Sequence, residues 1–264
     1  MQTDKINGLI ECLRRAGGAV LKIRSRGNLT TTEKKGIWDV VTEGDRVAER
    51  IITDYLAKHF SDDGIQAEEG TTRPSQSGRI WYPDSIDGTT NYSRGAPFFG
   101  ISAGRADENG VPNLGVIHFP AEGWFIQASR GDGVLSDHPE IFGDFKSRPG
   151  ADVLKDALVG AGLPVGFEHL FGIVQQRVRN IVMMGSCTYE SLLVVQGCWD
   201  AYFHVGATQF DVAAATVIAR EAGCVVTGIF DDDVNLKNKE IPFLVTRSEK
   251  LTTELRNLLI ENWR

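Results

Sequence analysis

Trp81-Tyr82-Pro83-Asp84-Ser85-Ile86-Asp87-Gly88-Thr89-Thr90-Asn91 is the stretch on which the reading of this chain turns. An apolar, strand-like run ends in Asp84, a second acid follows at Asp87, and Gly88-Thr89-Thr90 then turns the chain. Two carboxylates this close at a strand end repel one another unless a cation lies between them. A hard divalent ion such as Mg²⁺ suits a few carboxylates, with water or phosphate oxygen completing its shell. Backbone amides and hydroxyls just beyond the acids suit a phosphoryl oxygen. Taken alone, the segment reads equally well as an Asp-rich turn whose side chains cap their own backbone.

Three other stretches add acids at structured positions. Ile65-Gln66-Ala67-Glu68-Glu69-Gly70 is a short strand signal running into two glutamates and a glycine. Gln209-Phe210-Asp211-Val212 places an aspartate where an alanine-rich helix begins, with Asp211 as its expected N-cap and Gly223 as its stop. Trp38-Asp39-Val40-Val41-Thr42-Glu43-Gly44-Asp45 opens another helix, with Thr42 and Asp45 spaced as a capping box. Each has a local alternative: plain caps for Asp45 and Asp211, a solvated loop for Glu68 and Glu69.

Bulk properties narrow the function classes. The 264 residues suffice for a substantial core, as one domain or two intimate halves. A net charge of −7 with no basic stripe argues against a nucleic-acid polymer as partner. Cys12, Cys187, Cys198 and Cys224 show no Cys-x-x-Cys spacing, which fits reduced thiols and a cytoplasmic protein. Asp4 and Lys5 ahead of a helical pattern do not read as a signal peptide, and no apolar run reaches membrane-spanning length.

The rest of the chain mixes helix and strand. Ile6, Leu9, Ile10, Leu13, Val20 and Leu21 mark a first amphipathic helix, and Val47, Ile51, Ile52, Tyr55 and Leu56 a second. Between them Gly27 to Gly36, with Lys34 and Lys35, reads as a polar loop able to fold over a site. Phe98 to Ala128 has the short apolar runs of an antiparallel sheet. Leu135 to Asp152 reads as a seam. Beyond it, strands at 157–161, 181–184 and 243–246 alternate with helices at 186–196, 211–221 and 249–262.

The ordered set of motifs resembles the inositol monophosphatase family of Mg²⁺-dependent, lithium-sensitive phosphatases. That family carries Asp-x-Val-Thr-x-x-Asp, Gly-Glu-Glu, Asp-Pro-Ile-Asp-Gly-Thr-Thr-Asn, Gly-Ser-Ala and Trp-Asp-x-Ala. Here they correspond to Asp39–Asp45, Ala67–Glu69, Asp84–Asn91, Gly185–Cys187 and Phe210–Ala213. The resemblance implies a mixed α/β chain in a layered α-β-α-β-α sandwich. It implies one catalytic domain in two halves, 1–145 with most ligands and 146–264 contributing Asp211 and substrate contacts. It implies a homodimer with two or three Mg²⁺ ions and a small-molecule phosphate monoester as substrate. Glu68, Asp84 and the Ile86 carbonyl are the expected first-metal ligands; Asp84, Asp87 and Asp211 are those of the second. Thr89, hydrogen-bonded with Glu68, is expected to activate water, and Gly88 and Thr89 amides to receive phosphate. Asp45 and Glu69 are expected behind the ligands or at a third metal. Gly185, Ser186, Cys187, Asp87, Asp211 and His204 are the expected substrate contacts.

Departures from the family pattern bear on the substrate. His204 stands where inositol-handling members carry a glutamate that binds a ring hydroxyl, Cys187 replaces alanine, Phe210 replaces tryptophan, and Ser85 replaces proline. None removes a ligand. Inositol 1-phosphate is the default substrate, with fructose 1,6-bisphosphate, histidinol phosphate or adenosine 3′,5′-bisphosphate as alternatives of the same chemistry, and a non-catalytic regulatory relative as a third reading.

Overall fold

The computed structural model describes residues 2–36, 39–139 and 150–263; Trp38 and the middle of the expected seam, 140–149, lie outside them. Among the described residues, helix α1 (Gln2–Arg24) turns Leu9, Leu13, Ala16 and Val20 to one side, and α2 (Glu43–His59) does the same with Ala48, Ile52 and Leu56. This three-to-four spacing gives each helix a single apolar stripe. Both stripes close over one face of a seven-stranded sheet. Its order is β4 (Thr72–Arg73), β3 (Gly64–Gln66), β5 (Ile80–Asp87), β6 (Gly100–Ala106), β7 (Pro112–Phe119), β8 (Trp124–Ser129) and β9 (Gly133–Ser136).

The other face receives α5 (Cys187–Val195) and α6 (Gln209–Glu221). Gly104 on β6 and Gly115 on β7 are cross-strand partners, and together they make a bare patch. A Cβ on Gly104 would stand 2.4 Å from the Ala213 Cβ, and one on Gly115 would stand 2.5 Å from the Ala214 carbonyl oxygen. Small residues on both surfaces therefore let α6 lie directly on the strands. This approach carries Asp211 to the sheet that bears Asp84 and Asp87.

Behind α5 and α6 lies a five-stranded sheet. Its order is β11 (Asn180–Val182), β10 (Leu158–Gly162), β12 (Ala201–His204), β14 (Phe243–Thr246) and β13 (Val225–Gly228). Strands β10, β11 and β12 run parallel, and β14 is antiparallel to its neighbours. Alternation divides their residues: Tyr202, Phe243 and Val245 face the middle helices, whereas Val159, Phe203 and Leu244 face α4 (Glu168–Gln175) and α7 (Glu249–Glu261). The result is the expected five-layer α-β-α-β-α sandwich. A helix of five residues, α3 (Thr89–Ser93), follows β5 directly.

Two local expectations are corrected. The polar stretch before Gly36 is not a loop throughout. Thr31–Gly36 forms β1, an antiparallel partner of β2 (Asp39–Thr42), because Thr31 and Thr32 pair with Thr42 and Val41 in β-branched register. Helix α6 starts earlier than Asp211: Thr208 is its N-cap, and Asp211 is the third residue of the helix, in a capping box.

Candidate active site

Asp84 and Asp87 lie three residues apart on β5, a spacing that would point them to opposite faces of a regular strand. The pairing of β5 with β6 breaks register between these two residues, so the strand carries an irregularity there. An extra residue in one strand re-aims the side chains beyond it. The bulge brings both aspartates to one side, and the Asp84 Oδ1 accepts the Ile86 amide at 3.0 Å. Gly88 then adopts φ +90, and a Cβ there would stand 3.0 Å from the Phe98 carbonyl oxygen and 3.1 Å from the Ser186 Cβ. Only glycine fits that turn.

Two Thr-x-x-Asp capping boxes supply further acids by one device. In α2, the Thr42 amide and hydroxyl donate to the Asp45 Oδ2 at 2.8 and 2.6 Å. In α6, the Thr208 amide and hydroxyl donate to the Asp211 Oδ2 at 2.6 and 2.8 Å. Each box uses one carboxylate oxygen and leaves the other facing the site. The Asp45 Oδ1 accepts the Thr89 hydroxyl at 3.0 Å, and the Ile86 carbonyl lies 2.9 Å from the same hydroxyl. The expected pairing of Thr89 with Glu68 is thereby corrected: Asp45 is the partner, because the helix cap fixes its carboxylate under α3.

Asp87 is held by the start of α5. Its Oδ2 accepts the Ser186 hydroxyl at 2.6 Å, the Thr188 amide at 2.7 Å and the Thr188 hydroxyl; its Oδ1 accepts the Cys187 amide at 3.0 Å. The positive end of the helix thus meets a buried carboxylate. Glu190, fully buried, accepts the amides of Met184, Gly185 and Ser186 at 3.1, 3.1 and 3.3 Å. Burial pushes its pKa up to about 8, against the pull of those amides. Gly185, Ser186 and Cys187 therefore use their amides to build the site's wall. Sequence reading missed Glu190; its place four residues after the Ser186 cap was the available signal.

Glu68 and Glu69 stand at the rim, where the Lys34 ammonium from β1 donates to Glu68 at 3.1 Å and also to Glu69. The β1–β2 hairpin does reach over the site, as its basic residues suggested. Glu49 of α2, also missed, clasps the backbone beyond Glu68.

Asp84, Asp87 and Asp211 offer one oxygen each within 4.8 Å of one another, and among the described residues they form the group of acids able to hold a metal ion. Burial raises the Asp84 carboxyl well above the usual range, and Glu68, Asp87 and Asp211 raise it further. Burial, with Asp87 adding to it, pushes Asp211 up to about 6. Glu68 is raised by burial and Asp211, opposed by Lys34. Uncompensated acids crowded in this way favour a bound cation, and an all-oxygen donor set fits a hard divalent ion. The residues present fit Mg²⁺.

His204 ends β12. Its Nδ1 accepts the Gly206 amide at 3.1 Å, so the neutral ring carries its proton on Nε2. Burial lowers its pKa to about 4, with Asp87 working in the opposite direction. The ring covers Gly162, whose Cβ, if present, would stand 2.0 Å from the His204 Cδ2. The Cys187 thiol is buried and pushed well above its ordinary pKa, which removes it as a thiolate nucleophile.

A fructose-1,6-bisphosphatase/inositol-1-monophosphatase of Thermotoga maritima is 34% identical over 243 residues, 91% of either chain. A Nus factor SuhB of Xylella fastidiosa is 28% identical over 276 residues, covering 99% of this chain and 96% of the relative. Among solved structures, an IMPase of Thermotoga maritima superposes with a TM-score of 0.84 at 30% identity, over 98% of this chain and 97% of that one. An IMPase/NADP phosphatase complexed with Mg²⁺ and phosphate shares the fold at TM-score 0.84 and 20% identity, over 98% and 96%. The inositol monophosphatase family profile matches residues 2–262: the chain belongs to that family and is a metal-dependent phosphatase.

Proposed function

We propose that the protein is a Mg²⁺-dependent phosphomonoesterase acting on a small polyol or sugar phosphate, with inositol 1-phosphate as the reference substrate. The observation that carries this reading is the convergence of Asp84, Asp87 and Asp211 beside the Thr89–Asp45 pair. Phosphate monoester hydrolysis needs accelerations approaching ~10²¹-fold, far beyond one general base at ~10²–10⁴-fold. Bound Mg²⁺ supplies charge neutralisation at the phosphate and at the departing oxygen. Asp84, Asp87 and Asp211 would hold it, with Glu68 and the Ile86 carbonyl at the neighbouring position and Glu69 behind them.

The remaining chemistry falls to the chain's own groups. Thr89 directs its proton to Asp45, which turns a hydroxyl lone pair outward to accept a proton from water. The water oxygen forms the new bond to phosphorus, the bond from phosphorus to the leaving oxygen breaks, the water proton passes through Thr89 to Asp45, and the departing oxygen takes a proton from solvent to leave as an alcohol. Burial raises the Asp45 pKa against the pull of Thr42 and Thr89, which makes it a stronger base than a solvated carboxylate. Gly88 and Thr89 amides receive phosphate oxygens.

His204 Nε2–H serves as the donor to a leaving-group hydroxyl. An uncharged donor in place of an acceptor favours the alternatives of the same chemistry, fructose 1,6-bisphosphate among them. The test is phosphate release from inositol 1-phosphate, fructose 1,6-bisphosphate, histidinol phosphate and adenosine 3′,5′-bisphosphate with Mg²⁺, with EDTA and with millimolar lithium. Metal-dependent release that lithium suppresses is expected; no release from any of the four by folded, Mg²⁺-loaded protein would favour a regulatory relative. A cytoplasmic homodimer completes this reading, and a light-scattering mass near one chain would contradict the dimer.

A further inference from the structure

Helix α2 carries a second acid one turn beyond Asp45. Glu49 is 6% exposed, and both of its carboxylate oxygens are committed to one turn of the acidic segment. Its Oε2 accepts the Glu69 amide at 2.6 Å; its Oε1 accepts the Thr71 amide at 3.2 Å and the Thr71 hydroxyl at 2.6 Å. The turn joins β3 to β4, whose pairs Gln66–Thr72 and Ile65–Arg73 flank it; within it the Ala67 amide donates to the Thr71 carbonyl at 2.9 Å and the Gly70 amide to the Ala67 carbonyl at 3.2 Å, with Gly70 at φ +110. From the other side the Lys34 ammonium pairs with Glu68 and Glu69.

We propose that Glu49 is a positioning residue, which fixes the Ala67–Thr71 turn so that Glu68 and Glu69 face the metal-binding aspartates. The inference rests on the metal-dependent reading of the site. Residues four apart on a helix share a face, so Asp45 and Glu49 stand one above the other on α2. Asp45 grips Thr89 on the β5–α3 segment, and Glu49 grips the glutamate-bearing turn. One rigid helical turn thus sets the distance between the two pieces of backbone that carry the acids. Two charge-assisted bonds to backbone amides, with a third to a hydroxyl, are stronger than neutral ones and define the turn's position in two places. Without them, the β3–β4 pairing would still hold the ends of the turn on the sheet that carries Asp84, but α2 would no longer fix the Glu69 and Thr71 backbone between those ends.

The experiment is calorimetric titration of Mn²⁺ and of Mg²⁺ into the full chain, into Glu49→Gln and into Thr71→Val, with thermal melting and steady-state kinetics on each. Loss of a group that orients metal ligands weakens metal affinity by ~10–100-fold. Glu49→Gln is expected to show that loss, with kcat at saturating metal within a few-fold of the parent. Thr71→Val, which removes one hydroxyl donor at an exposed position, is expected to shift affinity less and in the same direction. Parent-like affinity in both variants overturns the proposal. Should Glu49→Gln fail to fold, a folded Thr71→Val with unchanged affinity overturns it equally. A parent chain that binds neither ion overturns the metal-dependent reading itself, a result distinguishable from the first.

Discussion

The Thr89 hydroxyl sits 3.0 Å from the Asp45 Oδ1, and Asp45 is fixed there by the cap of a helix forty-four residues upstream in sequence. A threonine hydroxyl is a poor base alone. Backed by a buried carboxylate, it is in the proposed mechanism the last link between a water and a proton acceptor. Thr89→Ala is expected to lower kcat by ~10²–10⁴-fold, the usual contribution of positioned proton transfer. Thr89→Ser restores most of the rate, because it keeps the oxygen. Metal titration should give the same affinity in all three proteins; unchanged kcat in Thr89→Ala would remove this pair from the mechanism.

Asp87 accepts from Ser186, Cys187 and Thr188 as well as facing Asp84 and Asp211. Asp87→Asn replaces one acceptor oxygen with an amide that opposes those donors. It should reduce turnover by orders of magnitude while costing ~1–3 kcal/mol of stability, a loss that leaves the chain folded. Phosphate release assays paired with thermal melting measure both effects.

Packing of α6 on Gly104 and Gly115 gives a test far from the chemistry. Gly115→Ala puts a methyl against the Ala214 backbone, where no flexible side chain can yield. Overpacking of this kind costs ~1–3 kcal/mol. Because α6 also carries Asp211, the same change is expected to weaken metal binding. Gly172→Ala is the control: it lies in α4 with open space around it. That change should raise stability by ~0.5–1 kcal/mol and leave affinity alone.

His204 gives a pH dependence of defined sign. Its folded pKa, about 4, lies below the unfolded value near 6.5, so the unfolded chain binds more protons between the two. The stability it contributes is complete above the unfolded value and is lost as pH falls toward the folded one. Between pH 7 and 5 the loss is on the order of 2 kcal/mol. The raised carboxyls of Glu68, Asp84 and Asp211 act in the opposite direction, their strain growing as pH rises. The difference in melting temperature between the parent and His204→Gln, taken at pH 7 and at pH 5, isolates the histidine. An equal difference at both values would show that the ring is not held neutral by the fold.

Much of this site is written locally. The order of Thr42-x-x-Asp45, Glu68-Glu69, Asp84-x-x-Asp87-Gly88-Thr89 and Asp211 named the acids and the family, because each motif is a short-range device: a helix cap, a strand end, a glycine turn. Helical spacing likewise exposed α1, α2 and α7. The β1–β2 hairpin escaped, since its polar threonines and lysines resemble a loop until a partner strand supplies the pairing. Glu49 and Glu190 escaped as well. A glutamate on a helix reads as a solvated charge, and only burial against the backbone amides of another segment turns it into a clasp.

The sequence by itself named the acids and hydroxyls of the candidate site, because side-chain type and short-range geometry are local properties. Tertiary structure alone decided which of them meet. Asp211 reaches Asp84 and Asp87 through the close contact of α6 with two paired glycines. Thr89 finds Asp45 instead of Glu68 because a helix cap leaves one carboxylate oxygen free beneath it. Such long-range contacts are set by how the layers pack, and no window of sequence contains that information.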